Sequence, residues 1–383
     1  MNLSLLISLI STLAIFLSST VYSDSTVCQQ HNCIAIVDGG STGSRLHVYV
    51  YDKDEHKTPV NIKELWSKKL KPGVSIIEIN QAAIDSYFTK LFLGAPTDPM
   101  PVYFYATAGM RLLPQPKQKQ IYALINNWFS RQAQWQLQSA KTITGMEEGL
   151  YAWLMINYQL GTLNSETKSL VGVMDMGGAS VQIVFPVENT EGLNNTDLIQ
   201  LNLYGHEKKL FVHSFLGLGQ NEVTHQYLNA ASCFANDYEL PNGLAANGDA
   251  YDCEKEVSLL VKDVHRVNRT VQPAIAANPV DKWFVLGGMA ELVQSTPIQP
   301  KNKQFTNETL IEQAQTQICQ QPWTGLSEKY PGDEYLYGYC LFPSYYYALI
   351  VEGYGISAKQ MITSMTSNQG GDWSLGVVLM QTS

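Results

Sequence analysis

The chain has 383 residues, 45% hydrophobic and 15% charged: apolar mass for more than one core, and too little charge for a disordered chain. A net charge of -9 argues against non-specific nucleic-acid binding, which needs a basic surface. It leaves small polyphosphates open, because a bound cation reverses the sign of a local site.

Residues 3–17 are apolar with interspersed Ser and Thr and no charge, and Thr20-Val21-Tyr22-Ser23 offers small residues for cleavage. Residues 1–23 therefore read as an export signal. The run is shorter than the ~20 residues of a spanning helix. No later stretch is apolar for long enough, so no stable membrane span is expected in the mature chain. The expected destination is the periplasm or the outside of the cell, or the secretory lumen in a eukaryote. Six cysteines follow the signal: Cys28, Cys33, Cys233, Cys253, Cys319 and Cys340. An even count in an exported chain points to disulfides, and closeness in the chain favours sequential local pairs. Asn194, Asn268 and Asn307 begin glycosylation sequons.

Residues 34–37 form an apolar run that ends in Asp38 and a glycine turn, and residues 45–52 alternate. Together they predict a β-hairpin. Helical spacing covers residues 82–93, a strand residues 102–107, and helices residues 117–131 and 148–160, with Gly161 just beyond the last. The opening then repeats. Residues 170–174 are apolar, Asp175 ends them, Gly177-Gly178 turns, and residues 180–186 alternate. Two copies of strand, Asp, glycine turn, hydroxyl and strand, about 140 residues apart, imply two similar domains facing each other. Residues 189–197 are polar, and residues 234–252 form a long loop between Cys233 and Cys253. A helix is expected over 254–267, a strand over 283–286 meeting Gly287-Gly288, helices over 345–352 and 358–365, and a closing strand over 375–380. Alternating strands and helices indicate an α/β fold.

A glycine turn lets backbone N–H groups approach a phosphate, and the hydroxyls of Ser41, Thr42, Ser44 and Ser180 add donors. Neither loop is a P-loop or a dinucleotide fingerprint. Asp38 and Asp175 would oppose each other across a cleft and repel unless a cation sits between them, which suits magnesium.

These segments resemble the apyrases, or nucleoside triphosphate diphosphohydrolases, of the actin-like ATPase superfamily. Residues 38–45 (DGGSTGSR), 106–111 (ATAGMR), 143–158 (ITGMEEGLYAWLMINY) and 175–182 (DMGGASVQ) are similar to four conserved regions of that family in order. Residues 319–323, 339–340, 353–354 and 372–376 (DWSLG) are similar to its C-terminal part. The resemblance implies two actin-like α/β domains with mixed sheets flanked by helices. Residues 24–145 plus 356–383 would form one and residues 146–355 the other. It implies Glu148 as the base that activates water, Ser180 and Gln182 as holders of that water, and Thr107 near the metal shell. Asp38 and Asp175 would carry Mg2+ or Ca2+. The loop residues Gly40, Ser41, Thr42, Ser44, Arg45, Gly177, Gly178 and Ala179 would bind phosphate. Glu147 would point elsewhere at the helix start.

The base pocket departs from the family. Gly287-Gly288-Met289-Ala290 stands where an aromatic is expected, closer to the superfamily's adenosine turn. Gly287 and Gly288, with Tyr345 or Tyr346 as a stacking face, are the candidates, and the pocket leans toward adenine. The expected activity is hydrolysis of the terminal phosphate of nucleoside tri- and diphosphates by a monomer. The rivals are a phosphotransferase of the same superfamily and a catalytically silent nucleotide-binding protein.

Overall fold

The computed structural model describes residues 27–165, 167–298, 303–366 and 372–381; the expected export signal lies outside the described residues. Two mixed sheets carry the chain. The first is built from β1 (Asn32–Gly39), β2 (Ser44–Lys53), β3 (Pro59–Leu70), β4 (Met100–Ala106) and β5 (Trp135–Thr142), in the order β3-β2-β1-β4-β5. The second is built from β6 (Gly172–Met176), β7 (Ser180–Pro186), β8 (Leu198–Leu203), β9 (His206–Leu216), β10 (Trp283–Leu286), β11 (Gln304–Phe305) and β12 (Ile362–Ser364). Its order is β11-β12-β10-β6-β7-β9-β8.

The two sheets share one plan. β1 pairs antiparallel with β2 and parallel with β4. β6 pairs antiparallel with β7 and parallel with β10. β3 then answers to β9, and β5 to β12. The repeat expected from the two Asp-Gly loops is therefore a repeat of strand topology, with β8 and β11 as additions at the edges of the second sheet.

Two helices fill the space between the sheets. Helix Gly145–Gln159 is buried from Glu148 to Asn157, so it shows little amphipathic contrast, as a helix covered on all sides must. Helix Ser374–Gln381 packs beside it: a Cβ on Gly376 would strike the Tyr151 backbone. Their apolar residues join Ile34, Ile36 and Tyr49 of the first sheet to Val173, Val184 and Val212 of the second in one central core. A second core lies outside the first sheet under helices Gln81–Phe92 and Gln115–Phe129, and a third lies outside the second sheet. Gly149 explains the close seat of the central helix, since a Cβ there would sit 3.0 Å from Val184 Cγ2 and 3.1 Å from Gln182 Cβ.

Two elements differ from expectation. Residues 375–380 are helical, not a strand: a short continuous apolar run fits either state, and the slot between the sheets takes a helix. Residues 362–364 are strand, not helix, because they pair with β10 and β11 to extend the second sheet. The cysteines pair locally as Cys28–Cys33, Cys233–Cys253 and Cys319–Cys340. Among the sequons, Asn194 is exposed, whereas Asn307 is sequestered at 1% exposure.

Candidate active site

The carboxyl ends of β1 and β6 meet at a cleft of about 760 Å³. Asp38 and Asp175 stand at those strand ends, each followed by its glycine turn. Gly40, Ser41, Thr42 and Arg45 line the cleft from the first loop, and Gly177, Gly178, Ala179 and Ser180 from the second. The loops nearly touch, since a Cβ on Gly178 would lie 2.7 Å from Ser41 Oγ. In the second loop the carbonyls of Gly177, Gly178 and Ala179 accept from Gln220, Asn221 and Gly217. That bonding turns the carbonyl side away; Gly177 N–H donates to Ser180 O at 3.0 Å, and the N–H groups of Gly178 and Ala179 are left for an anion.

Glu148 lines the cleft at 7% exposure. Its place follows from the helix start. Thr144 and Glu147 form a capping box: Thr144 Oγ1 accepts from Glu147 N at 3.1 Å, and Thr144 N donates to Glu147 Oε2 at 2.8 Å. Glu147 also holds Lys141 at 2.7 Å. One acid is thus spent on the cap, and the next, about 100° further round the helix, faces the cleft.

Arg111 sits against Glu148. Its Nη2 donates to Glu148 Oε2 at 2.7 Å and to Ser180 Oγ at 2.8 Å. Gln182 Nε2 donates to the same Ser180 oxygen at 2.7 Å and to Ser214 Oγ at 2.8 Å. With both lone pairs of Ser180 Oγ engaged, its own proton is left to donate into the cleft. Gln182 reaches the cleft only through Ser180.

The electrostatics are costly. Burial, then the Asp372 and Glu148 carboxylates, push the Asp38 carboxyl well above its ordinary range, with His47 and Arg45 opposing. Burial, then Glu148 and Asp372, push Asp175 up to about 8, with Arg111 opposing. Burial raises Glu148 too, and the Arg111 guanidinium restrains the rise. Asp38 Oδ1 is buried with no hydrogen-bond partner among the described residues. An orphaned carboxylate oxygen among four crowded acids is the environment a divalent cation relieves. No group of three or more acidic, His or Cys side chains converges at ligating distance among the described residues. The two carboxylates at the phosphate loops fit a divalent cation whose remaining ligands are waters and phosphate oxygens.

Thr107 lines the same cleft at 5% exposure, just before the short helix Ala108–Arg111. Gly287 and Gly288 line its far wall. Gly287 has φ +67°, and a Cβ there would strike Met176 O, so the turn requires glycine.

Three expectations are corrected. Ser44 is fully buried, faces Tyr87 under the sheet and lines no part of the cleft, because β2 begins there and turns its side chain inward. Tyr345 and Tyr346 are fully buried: Tyr345 donates to Leu218 O, and Tyr346 to Gln220 Oε1 at 2.7 Å. They support the floor behind Gly288 and offer no ring face to a ligand. The rings on the cleft are those of Tyr335, Tyr339, Phe342 and Trp373.

The residue roles above also leave out several neighbours. Arg111 stood within the ATAGMR segment without a role, and Asp372 within DWSLG. Asp372 lines the cleft and accepts from Arg45 Nη1 at 3.4 Å. It also meets His47 Nε2 at 2.6 Å, while His47 Nδ1 meets Glu64. Burial opposes a charge on His47, but the Asp372 and Glu64 carboxylates outweigh it and hold the imidazolium up to about 9. His47 in turn keeps the Asp372 carboxyl below the usual range against burial. A lone His in an alternating strand gives no sign of partners 17 and 325 residues away.

Comparison with known proteins places the chain in a family. The model of the GDA1/CD39 (nucleoside phosphatase) family matches residues 25–274. The chain is 26% identical to probable apyrase 5 of Arabidopsis thaliana, over 91% of this chain and 81% of that protein. It is 25% identical to ectonucleoside triphosphate diphosphohydrolase 1 of Mus musculus, over 91% and 80%. Among solved structures, a nucleoside triphosphate hydrolase of Neospora caninum superposes with a TM-score of 0.61 at 15% identity, over 92% of each chain.

Proposed function

The chain belongs to the GDA1/CD39 (nucleoside phosphatase) family, and from that premise we propose that it is an exported, divalent-cation-dependent apyrase that removes the terminal phosphate of nucleoside tri- and diphosphates. Nucleotide phosphate hydrolysis is the family's activity; cation, export and base preference are read from this chain. The observation that carries the reading is Glu148, buried at the cleft floor beside a Ser180 hydroxyl that can only donate outward.

In-line attack on phosphorus needs a water with one lone pair aimed at the phosphorus and a base to take its proton. Ser180 donates to that water, which fixes one lone pair. Glu148 accepts one of its protons, and the Arg111 ion pair holds the carboxylate in place. The N–H groups of Gly178 and Ala179 and the Ser41–Thr42 loop receive the oxygens of the transferred group. Asp38 and Asp175 are the residues that would hold the cation, and Thr107 lies beside them. When bound, the cation neutralises charge on the phosphate oxygens. Mg2+ and Ca2+ both suit an all-oxygen site.

The Gly287-Gly288 turn lines the cleft, and the adenine preference rests on its likeness to the superfamily's adenosine turn. Tyr335 and Tyr339 take over the stacking role first given to Tyr345 and Tyr346. Export is supported by the apolar start of the chain and the three disulfides. No helix among the described residues is long and apolar enough to cross a membrane. The expected halves, residues 24–145 plus 356–383 and residues 146–355, need one change, because Ile362–Ser364 pairs within the second sheet and goes with the second half; the proposed unit is a monomer.

The test is phosphate release from ATP, ADP, GTP and UDP with Mg2+ or Ca2+, with and without EDTA. Cation-dependent release that collapses in Glu148→Gln while nucleotide still binds is the expected result. Binding without release by the wild type would overturn it in favour of a silent binding protein. Conversion of the nucleotide only when an acceptor is added, with the phosphate found on that acceptor and none free, would mark a phosphotransferase.

A further inference from the structure

The cleft is polarised. Its floor carries Asp38, Glu148, Asp175 and Asp372, while three cations line the first sheet's side: Arg45, Lys69 and Lys71. Two of the three are engaged. Arg45 reaches Asp372 at 3.4 Å, and Lys71 reaches Glu334 at 3.4 Å across the gap between the halves. The Lys71 pair is exposed on both sides, so a phosphate can replace Glu334 at little cost. Lys69 has no ion pair among the described residues, although it stands beside Arg45 in strand register.

The strand that carries it runs close against the first phosphate loop: a Cβ on Gly43 would strike Leu70 O at 2.9 Å and touch Lys69 Cε at 3.5 Å. Glycine at 43 thus lets the loop lie against the backbone beside Lys69. Burial and the like charges of Arg45 and Lys71 pull the Lys69 ammonium below its ordinary range, with Glu291 and Asp38 opposing. A cation set among cations over a phosphate loop gains most from an anion that arrives from solution.

Resting on the proposed hydrolysis of terminal phosphates, the geometry points to Lys69, seconded by Lys71, as the group that binds the phosphates behind the reacting one and so selects triphosphates over diphosphates. The reacting phosphate sits at the acidic floor, with the base and the cation-holding carboxylates. The next phosphates run back toward the nucleoside end, past Arg45 and Lys69. A triphosphate offers this side one more phosphate than a diphosphate does.

The experiment compares ATP and ADP hydrolysis by wild type, Lys69→Met and Lys69→Arg. In Lys69→Met, KM for ATP should rise about tenfold and KM for ADP about twofold, the former being the loss of one charge-assisted contact. Lys69→Arg should restore most of the difference. Titration of wild type and Lys69→Met with inorganic tripolyphosphate and pyrophosphate, followed by calorimetry, should show the same bias without turnover. Equal losses for the long and short ligands, or none, would overturn the inference. A wild type that binds both nucleotides but hydrolyses neither would defeat the hydrolase reading alone, because the calorimetric bias still decides the role of Lys69.

Discussion

Arg45 lies opposite Asp38 across the first glycine hairpin, and Gln182 lies opposite Asp175 across the second. Two pairs further back, His47 answers to Val184, opposite Ile36 and Val173. One backbone device has thus been given two chemistries. The second hairpin is apolar behind its loop, where Val184 packs under Gly149, and its polar residues form the network that holds Ser180 and faces Glu148. The first hairpin carries the Arg45 guanidinium and the His47 imidazolium, which hold Asp372, and Arg45 lines the cleft on the side proposed for the phosphates. The strand frame fixes where two aspartates and two turns stand. In the proposed mechanism, the residues facing the aspartates make one side handle water and the other handle charge.

The sharpest way to break that division is on the water side. Glu148→Gln should lower kcat by about a thousandfold, within the range for loss of a general base, with KM held within a factor of about two. A loss shared equally between kcat and binding would mean that the acid holds substrate.

The next largest effect belongs to the charge side and is one of stability. His47 is 2% exposed and titrates near 9 in the folded chain against 6.5 when free. A raised His pKa stabilises the fold fully below about 6.5 and loses that contribution as pH rises through about 9. The difference corresponds to on the order of 3 kcal/mol. His47→Gln should therefore melt well below wild type at pH 6 and approach it by pH 9.5, in scans with EDTA present. A gap that does not narrow with pH would mean that His47 acts by shape and not by charge.

Ser180→Ala comes third. It removes the donor to the attacking water and leaves Arg111 and Gln182 each short of an acceptor, so kcat should fall about a hundredfold. The corresponding change on the other side, Arg45→Ala, should act mainly through KM. Steady-state kinetics on the two variants tests the division directly.

Much of this was legible from the chain, and the reason is local. Asp38, Asp175 and the glycine turns are each set by a few consecutive residues, so pattern and resemblance reach them. The capping box likewise separates Glu147 from Glu148 within four positions. What was missed depends on distant contacts. His47 draws its meaning from Glu64 and Asp372. Lys69 draws its meaning from the β2–β3 register. The Tyr345–Tyr347 run marks an aromatic helix, but only packing decides that Tyr345 and Tyr346 face Leu218 and Gln220 while Tyr335 and Tyr339 face the cleft. The closing apolar run was misread for the same reason: its helix exists because a slot between two sheets waits for it.

The smallest effect tests whether the two hairpins must meet at all. Gly178 lies against Ser41 Oγ at the point where the loops converge, and a methyl there would need 2.7 Å of space already taken. The nearest obstacle is a serine hydroxyl, the next is Asn221 Nδ2 at 3.0 Å, and both are ends of side chains that can rotate. The backbone of Gly178 is free of positive φ, so alanine adds no strain of its own. Gly178→Ala should fold with a melting temperature near wild type. Moving Ser41 aside should weaken the grip on the transferred phosphate and lower kcat/KM by about tenfold, the effect of one displaced hydrogen bond to a charged group. Ser41→Ala in the same background relieves the clash without restoring the donor. If the hydroxyl is what matters, the double variant should be no more active than Gly178→Ala alone. If the double variant recovers, the spacing of the loops matters and the hydroxyl does not, and the charge side of the cleft contributes through its backbone and its cations.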